Sequence, residues 1–263
     1  MSETGAEKQG TFRCGLITIV GRPNVGKSTL MNAMLGEKLA ITAPRPQTTR
    51  DQIRGILNRK DLQLIFVDTP GIHDARKALN KVLVRRAIDA LAGVDAVVFV
   101  LDGLEYIDKV IAEKGQLHRQ DLRILDLIRQ AGVPAIAVVN KVDLVRAKSR
   151  LLPIADELTK TGLFEQLFFV SALKLDGSED LLEQLSALAP KGIALYDPDI
   201  ISDAPVRFHV AEIIRESVFH LTRDEVPYST VIEIERYKEN LSPVEILARI
   251  VVEKSSQKGI LVG

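Results

Sequence analysis

The sequence predicts an α/β fold, with a mostly parallel sheet and helices on both faces, followed by a smaller α+β unit. Three observations predict it. Short apolar, β-branched runs alternate with stretches of helical periodicity as far as about residue 190, the order that builds a sheet whose crossovers are helices. A group of turn formers then interrupts the pattern at Pro190-Lys-Gly, Asp197-Pro198 and Ala204-Pro205. Beyond it the order changes to one helix and two strands, which makes a separate unit.

In chain order, strands are expected at 14–20, 52–57, 62–67, 96–101, 135–139 and 167–170. Helices are expected at about 27–35, 78–92, 118–131, 150–161 and 179–189. Gly93 and Gly132 stand where two of these helices should stop. Segment 206–221 reads as an amphipathic helix with Val206, Val210, Ile213, Ile214 and Val218 on one side. Segments 228–237 and 244–253 read as strands, and TVIEIERY sets Val231, Glu233 and Glu235 against Ile232 and Ile234, one wet face and one dry. The expected division is a flexible N-terminus at 1–13, a first domain at 14–189, a linker at 190–204 where regular structure is not expected, and a second domain at 205–263.

Composition sets the outer limits. Hydrophobic residues make up 46% and charged residues 27% of 263 residues, enough to bury a core. Lysines and arginines number 35, as do the acids, so total charge neither favours nor excludes a polyanionic partner. The lone cysteine, Cys14, can form no internal disulfide and reads as a small buried hydrophobe in a reducing compartment. MSETGAEKQG has no apolar core for a secretory signal, and no run approaches the ~18 apolar residues of a membrane span. A cytoplasmic location is expected, with peripheral contact at the inner face of the cell membrane left open.

Four motifs carry chemistry. Gly21-Arg-Pro-Asn24-Val25-Gly26-Lys27-Ser28-Thr29 lies between the first strand and the first helix. Its glycines let the backbone curl so that amides point at phosphate oxygens, and the helix N-terminus adds positive potential. Lys27 would reach the β- and γ-phosphates and Ser28 would give its hydroxyl to Mg²⁺. Asp68-Thr-Pro-Gly71 ends the third strand, where a carboxylate can hold the hydration shell of Mg²⁺ and the Gly71 amide can meet a γ-phosphate. Asn140-Lys141-Val-Asp143 closes the fifth strand. Asp143 could accept from N1–H and the 2-amino group of guanine, whereas adenine would leave that carboxylate unpaired. Asn140 would brace the loops, and the Lys141 stem would cover the base. The rival reading, an Asn and an Asp that merely cap the next helix, loses ground to the base-side role because of the motifs that accompany it. Ser171-Ala172-Leu173-Lys174, after the sixth strand, is the expected last base-side loop.

These motifs, in this order, resemble those of the translation-factor-related GTPases. With PQTTRD at 46–51, EIIRE at 212–216, PYS at 227–229 and VIEIERY, the chain resembles the Era-like family, whose members carry a C-terminal KH domain. The resemblance covers about residues 14–263. It implies a P-loop GTPase domain followed by a partial α+β KH-like domain. It also implies GTP, GDP and Mg²⁺ as ligands, and small-subunit ribosomal RNA and the small ribosomal subunit as partners, with no DNA. By the same resemblance Thr49 joins Mg²⁺ only when GTP is bound, and Thr48 is the second choice. Asn24 is the residue that in similar potassium-dependent GTPases ligates K⁺, against its reading as a turn residue chosen for backbone shape.

Ile72 stands where Ras-like enzymes keep a water-orienting glutamine, so slow turnover is expected. Lys27, Thr49, Gly71 and Asn24 are the candidate catalytic groups. Arg45, Arg50 and Arg54 read as solvated charges, and His73 as a solvated imidazole. His118, His209 and His220 lack metal-ligand spacing, and Phe164, Phe168 and Phe169 read as core. The second domain shows no GxxG loop and holds eight basic against ten acidic residues from position 201, so the KH fold is expected to be cut short and RNA binding rests on resemblance alone. Rival readings are a related GTPase acting in tRNA modification or another ribosomal step, a binding module without turnover, and a P-loop nucleotide kinase. The kinase reading leaves Asn140 and Asp143 unexplained.

Overall fold

The computed structural model describes residues 12–42, 53–68, 91, 93–110 and 117–262. Six strands form the main sheet: β1 (Arg13–Gly21), β2 (Ile53–Arg59), β3 (Leu62–Asp68), β4 (Ala96–Asp102), β5 (Ala135–Asn140) and β6 (Gln166–Phe169), in the order β2-β3-β1-β4-β5-β6. Only β2 runs antiparallel to its neighbour. Every residue of β3, β4 and β5 is buried, because helices or loops cover both faces, and their unbroken Val/Ile/Leu character follows. Each expected strand is present with ends shifted by one or two residues.

The helices are α1 (Lys27–Leu35), α2 (Gly103–Val110), α3 (Arg119–Ala131), α4 (Leu152–Lys160) and α5 (Ser178–Leu188). Gly132 ends α3 in the left-handed conformation, as expected. The helix expected at 78–92 lies outside the described residues except for Leu91, which is helical and buried. α2 was not expected. Asp102 caps it by accepting from the Leu104 and Glu105 amides, both at 3.0 Å. Two cores sandwich the sheet. Val98 and Val100 face Leu30, Met31, Leu181 and Leu185, while Phe99 and Leu101 face Ile124, Ile128 and Ile154.

Segment 190–204 contains no helix or strand, yet it is no free tether. Gly55 bridges Ser202 antiparallel, the Ile56 amide donates to Ile201 O at 2.9 Å, and Asn58 Nδ2 donates to Ile200 O at 2.9 Å. Gln63, fully buried, accepts from the Leu195 and Tyr196 amides at 2.7 and 3.0 Å and donates to Tyr196 O at 2.8 Å. The segment is a strap that occupies the open edge of β2, a position where bare backbone would otherwise offer itself for pairing.

The second unit comprises α6 (Val206–Leu221), β7 (Thr230–Lys238), β8 (Glu245–Val252) and α7 (Ser255–Val262), of which α7 was not expected. β7 and β8 pair antiparallel with a bulge between Ile234 and Arg236. α6 corrects the expected apolar stripe. Val206 and Ile213 are 56% and 61% exposed, while Glu212, Arg215, Glu216, Val218 and Phe219 are buried. Charge can be buried there because it is paired: Arg215 Nε and Nη2 grip the Glu212 carboxylate at 2.7 and 2.6 Å, and the guanidinium lies 5.7 Å from the Phe219 ring centre. Among the described residues no helix is long and apolar enough to cross a membrane.

Candidate functional site

The site gathers at the C-terminal edge of β1, β3, β4, β5 and β6, the expected place for a ligand in an open α/β sheet. β1 runs into the loop at Gly21, whose φ is +155° and whose missing Cβ would lie 2.4 Å from Val100 O. Gly26, at φ +94°, would bring a Cβ to 2.3 Å from Asn140 Nδ2. Glycine is thus forced at both points by close approach and by backbone sign. Asn24 takes φ +65°, which Asn tolerates better than most side chains. Gly26 is the N-cap of α1 and offers no capping side chain, so the first amides of the helix face the loop interior as an anion site.

Lys27 folds over this loop, donating to Gly21 O at 3.2 Å and Arg22 O at 2.9 Å. Burial pushes its pKa below the usual lysine range, against an opposing pull from the Asp68 carboxylate. A phosphate ligand would relieve that burial cost. Ser28 Oγ donates to Asp68 Oδ2 at 2.8 Å, and Asp68 is fully buried at the end of β3. A hydroxyl and a carboxylate that already converge fit the hard-oxygen donor set of Mg²⁺. Thr29 follows them, half-buried. Thr49 and Gly71 lie outside the described residues, as do Arg45, Thr48, Arg50, Ile72 and His73.

On the base side Asn140 is 2% exposed. Its Nδ2 donates to Val25 O at 2.9 Å and its Oδ1 accepts from the Ala172 amide at 3.0 Å, so one side chain joins the phosphate loop to the loop after β6. Lys141, at φ +62°, donates to Asn24 O at 2.5 Å and to Asp102 Oδ2 at 2.7 Å. Asp143 Oδ1 accepts from Ser171 Oγ at 2.7 Å, bringing the two base-side motifs together. Leu173 is 74% exposed, so its side chain takes no part in these contacts.

Several other residues find definite roles. Arg54 is not a lone solvated charge: its Nη1 donates at 3.4 Å to both Tyr196 Oη and Asp203 Oδ2 on the strap. His118 Nδ1 caps α3 by accepting from the Gln120 amide at 3.2 Å. Phe164 stacks on Phe99 at 5.7 Å within the core, while Phe169 is 37% exposed. Sequence reasoning missed Asp102, although Asp102-Gly-Leu-Glu105 has the spacing of a capping box. It also missed Glu216 of α6, which accepts from Lys38 Nζ at 2.7 Å, Thr42 N at 3.1 Å and Thr42 Oγ1 at 3.3 Å. No local pattern foretells a contact between residues so far apart in the chain.

A curled anion loop, a hydroxyl–carboxylate pair beneath it and a carboxylate braced beside a buried asparagine define a guanine-nucleotide hydrolase of the P-loop class. Residues 16–141 match the family model described as 50S ribosome-binding GTPase. Over 257 residues the chain is 44% identical to GTPase Era of Nitratidesulfovibrio vulgaris (strain DP4), covering 97% of this chain and 82% of that one. It is 46% identical over 253 residues to GTPase Era of Geobacter sp. (strain M21), covering 96% and 82%. Two solved structures are similar to it at 33% identity, each covering 96% of this chain and 83% of its own. One is a variant of Aquifex aeolicus Era bound to GDP·AlF4⁻, with a TM-score of 0.84. The other is Era in complex with MgGDPNP and nucleotides 1506–1542 of 16S ribosomal RNA, with a TM-score of 0.83. The chain belongs to the GTPase Era family.

Proposed function

We propose that the protein is a slow GTP-hydrolysing switch that assists assembly of the small ribosomal subunit and engages ribosomal RNA through residues 205–263, with 14–189 as its nucleotide domain and 190–204 between them. The observation that carries the nucleotide half is Asn140, which fixes the distance between the phosphate loop and the Asp143 carboxylate by bonding Val25 O and the Ala172 amide at once. In that frame the amides of 24–29 take the phosphates, and Lys27 turns from its two carbonyls to the β- and γ-oxygens. Asp143 accepts from N1–H and the 2-amino group of guanine, the Lys141 stem covers the base, and the 171–173 loop closes the base edge. Ser28 and Asp68, with Thr49 in the GTP state, hold Mg²⁺, which neutralises charge spread over the phosphates. Gly71 donates its amide to the γ-phosphate, and Ile72 supplies no group to orient water.

The RNA half is supported by the related Era structure that holds nucleotides 1506–1542 of 16S ribosomal RNA. Two experiments test the proposal. Calorimetric competition should show GTP displacing bound GDP and ATP failing to, and parity between them would refute the role of Asp143. Filter binding with an RNA of that 3′ segment should show retention by the wild-type protein with GTP, and no retention at micromolar protein would refute the RNA half.

Asn24 is proposed to ligate K⁺ beside the phosphates and so offset the missing polar group at position 72. Its left-handed backbone and exposed side chain suit a turn residue as well. Turnover should be faster in KCl than in NaCl for wild type and equal in both for Asn24→Ala; equal rates in all four would remove the potassium role.

A further inference from the structure

The phosphate loop is anchored from below by a side chain that the nucleotide chemistry does not use. Arg22, the second residue of the loop, points away from the phosphates and is buried. Its Nε donates to Asp121 Oδ2 on the first turn of α3 at 2.9 Å, and its Nη1 donates to Glu105 Oε1 on the first turn of α2 at 3.1 Å. Its carbonyl meanwhile accepts from Lys27 Nζ at 2.9 Å. α2 returns to the loop by a second route, since its cap Asp102 holds Lys141, which donates to Asn24 O. Two residues of the loop are thus tied to the first turn of one short helix.

From this we infer that Arg22, Asp121 and Glu105 are positioning residues for nucleotide binding: the buried guanidinium holds the loop in its nucleotide-receiving curl, and its acidic partners on α2 and α3 set where it sits. The inference rests on the guanine-nucleotide reading above. A buried ion pair is weak evidence for stability, because desolvating both charges offsets their attraction. This pair even leaves polar atoms unserved: Asp121 Oδ1 and the neighbouring Tyr106 hydroxyl are buried without a hydrogen-bond partner among the described residues. What the arrangement does supply is a fixed geometry at the loop.

The groups around Asp121 are Arg22 from the loop and Glu105 and Tyr106 from α2, with Glu157 of α4 acting on Tyr106. Burial, helped by Glu105 and opposed by Arg22, pushes the Asp121 carboxyl up to about 6. Its contribution to folding is therefore complete below the unfolded value of 3.8 and is lost as pH rises through about 6. Acidification should strengthen this site's contribution to the fold while weakening its grip on Arg22, so stability and nucleotide affinity move in opposite directions.

The test measures GDP affinity by calorimetry and thermal unfolding without nucleotide, at pH 7.5 and 5.5, for wild type, Asp121→Asn, Glu105→Gln and Glu212→Gln. Glu212, in a buried pair within α6, controls for simple loss of an ion pair. Asp121→Asn should weaken GDP at pH 7.5 by about tenfold, the scale of one lost charge-assisted hydrogen bond, without lowering the melting temperature. Wild type should weaken towards it at pH 5.5. Glu212→Gln should melt earlier and bind GDP as wild type does. Should Asp121→Asn fail to fold, Glu105→Gln, whose side chain is already 29% exposed, should show the same loss of affinity in smaller measure. Unchanged GDP affinity in the folded variants, or a wild-type pH profile parallel to that of Asp121→Asn, would overturn the inference. Wild-type protein that binds no GDP would overturn the nucleotide reading itself.

Discussion

Asn140→Ala separates the two halves of the nucleotide site at one atom group. The substitution leaves the Val25 carbonyl and the Ala172 amide without the partners they now have at 2.9 and 3.0 Å, and both residues are buried. An abandoned buried polar group costs ~1–3 kcal/mol, so the pair amounts to ~2–6 kcal/mol, with water reaching the loop carbonyl favouring the lower half. Taking ~3 kcal/mol, and ~2–4 °C per kcal/mol for a chain of this size, the melting temperature without nucleotide should fall by ~6–12 °C. GDP affinity should fall further than the fold, by at least about tenfold, because loop spacing is set by this side chain. Asn140→Asp tells the two bonds apart: it keeps an acceptor for the Ala172 amide but turns a carboxylate oxygen towards Val25 O. It should therefore damage GDP binding as much as Asn140→Ala does, whatever its melting temperature. Scanning fluorimetry and calorimetry read both quantities, and an Asn140→Ala protein melting within ~1 °C of wild type, or an Asn140→Asp protein binding GDP normally, would refute the reasoning.

Three further outcomes are expected. Gly26→Ala puts a Cβ 2.3 Å from Asn140 Nδ2 at a φ of +94°, so GDP titration should show binding weaker by at least about tenfold. Gln63→Ala removes the side-chain hydrogen bonds with Asn58, Leu195 and Tyr196, along with a weak one from the Cys14 thiol, and should cost ~2–4 kcal/mol in urea unfolding while speeding tryptic cleavage at Lys191. Burial raises the Glu216 carboxyl, but the bonds from Lys38 and Thr42 outweigh it and hold the group below the ordinary range. Its stabilisation is therefore present above the unfolded value of 4.5 and lost as pH falls through the lower folded value, so the ~1.5–3 kcal/mol separating wild type from Glu216→Ala at pH 7 should close in acid.

The strands were legible because β3, β4 and β5 are buried on both faces and write that burial as continuous apolar runs, and α1 because Lys27–Leu35 follows a glycine loop. α2 was not, since GLEYIDKV is short and its cap is the last residue of a strand. The stripe assigned to α6 failed for a different reason. Periodicity counts apolar residues, and this helix buries charged ones: Glu212 and Arg215 as an i,i+3 pair, and Glu216 against Lys38 and Thr42, distant partners that no local pattern names. The same limit applies at the site. The residue types at 21–29, 68, 140–143 and 171–172 could be read from chemistry, but the bonds of Asn140 and Lys141 that fasten those loops to one another belong to tertiary structure.

The strap explains how the clasp at Glu216 helps join the second unit to the sheet, beside Phe208 of α6, which packs against the sheet's core. A free segment of residues 190–204 would let α6 wander, and a polar contact between an exposed lysine and a distant carboxylate would add little. Here Gln63 and the edge of β2 hold the segment along its length, and Ser202 and Asp203 are fixed four and three residues before α6 begins at Val206. The ordering cost falls on the strap, so Glu216 reaches Lys38 and Thr42 as an intramolecular partner at high effective concentration. Thr42 is also the last described residue before 43–52. A carboxylate from the second unit therefore holds Thr42, and the strap along the edge of β2 helps set where that carboxylate stands.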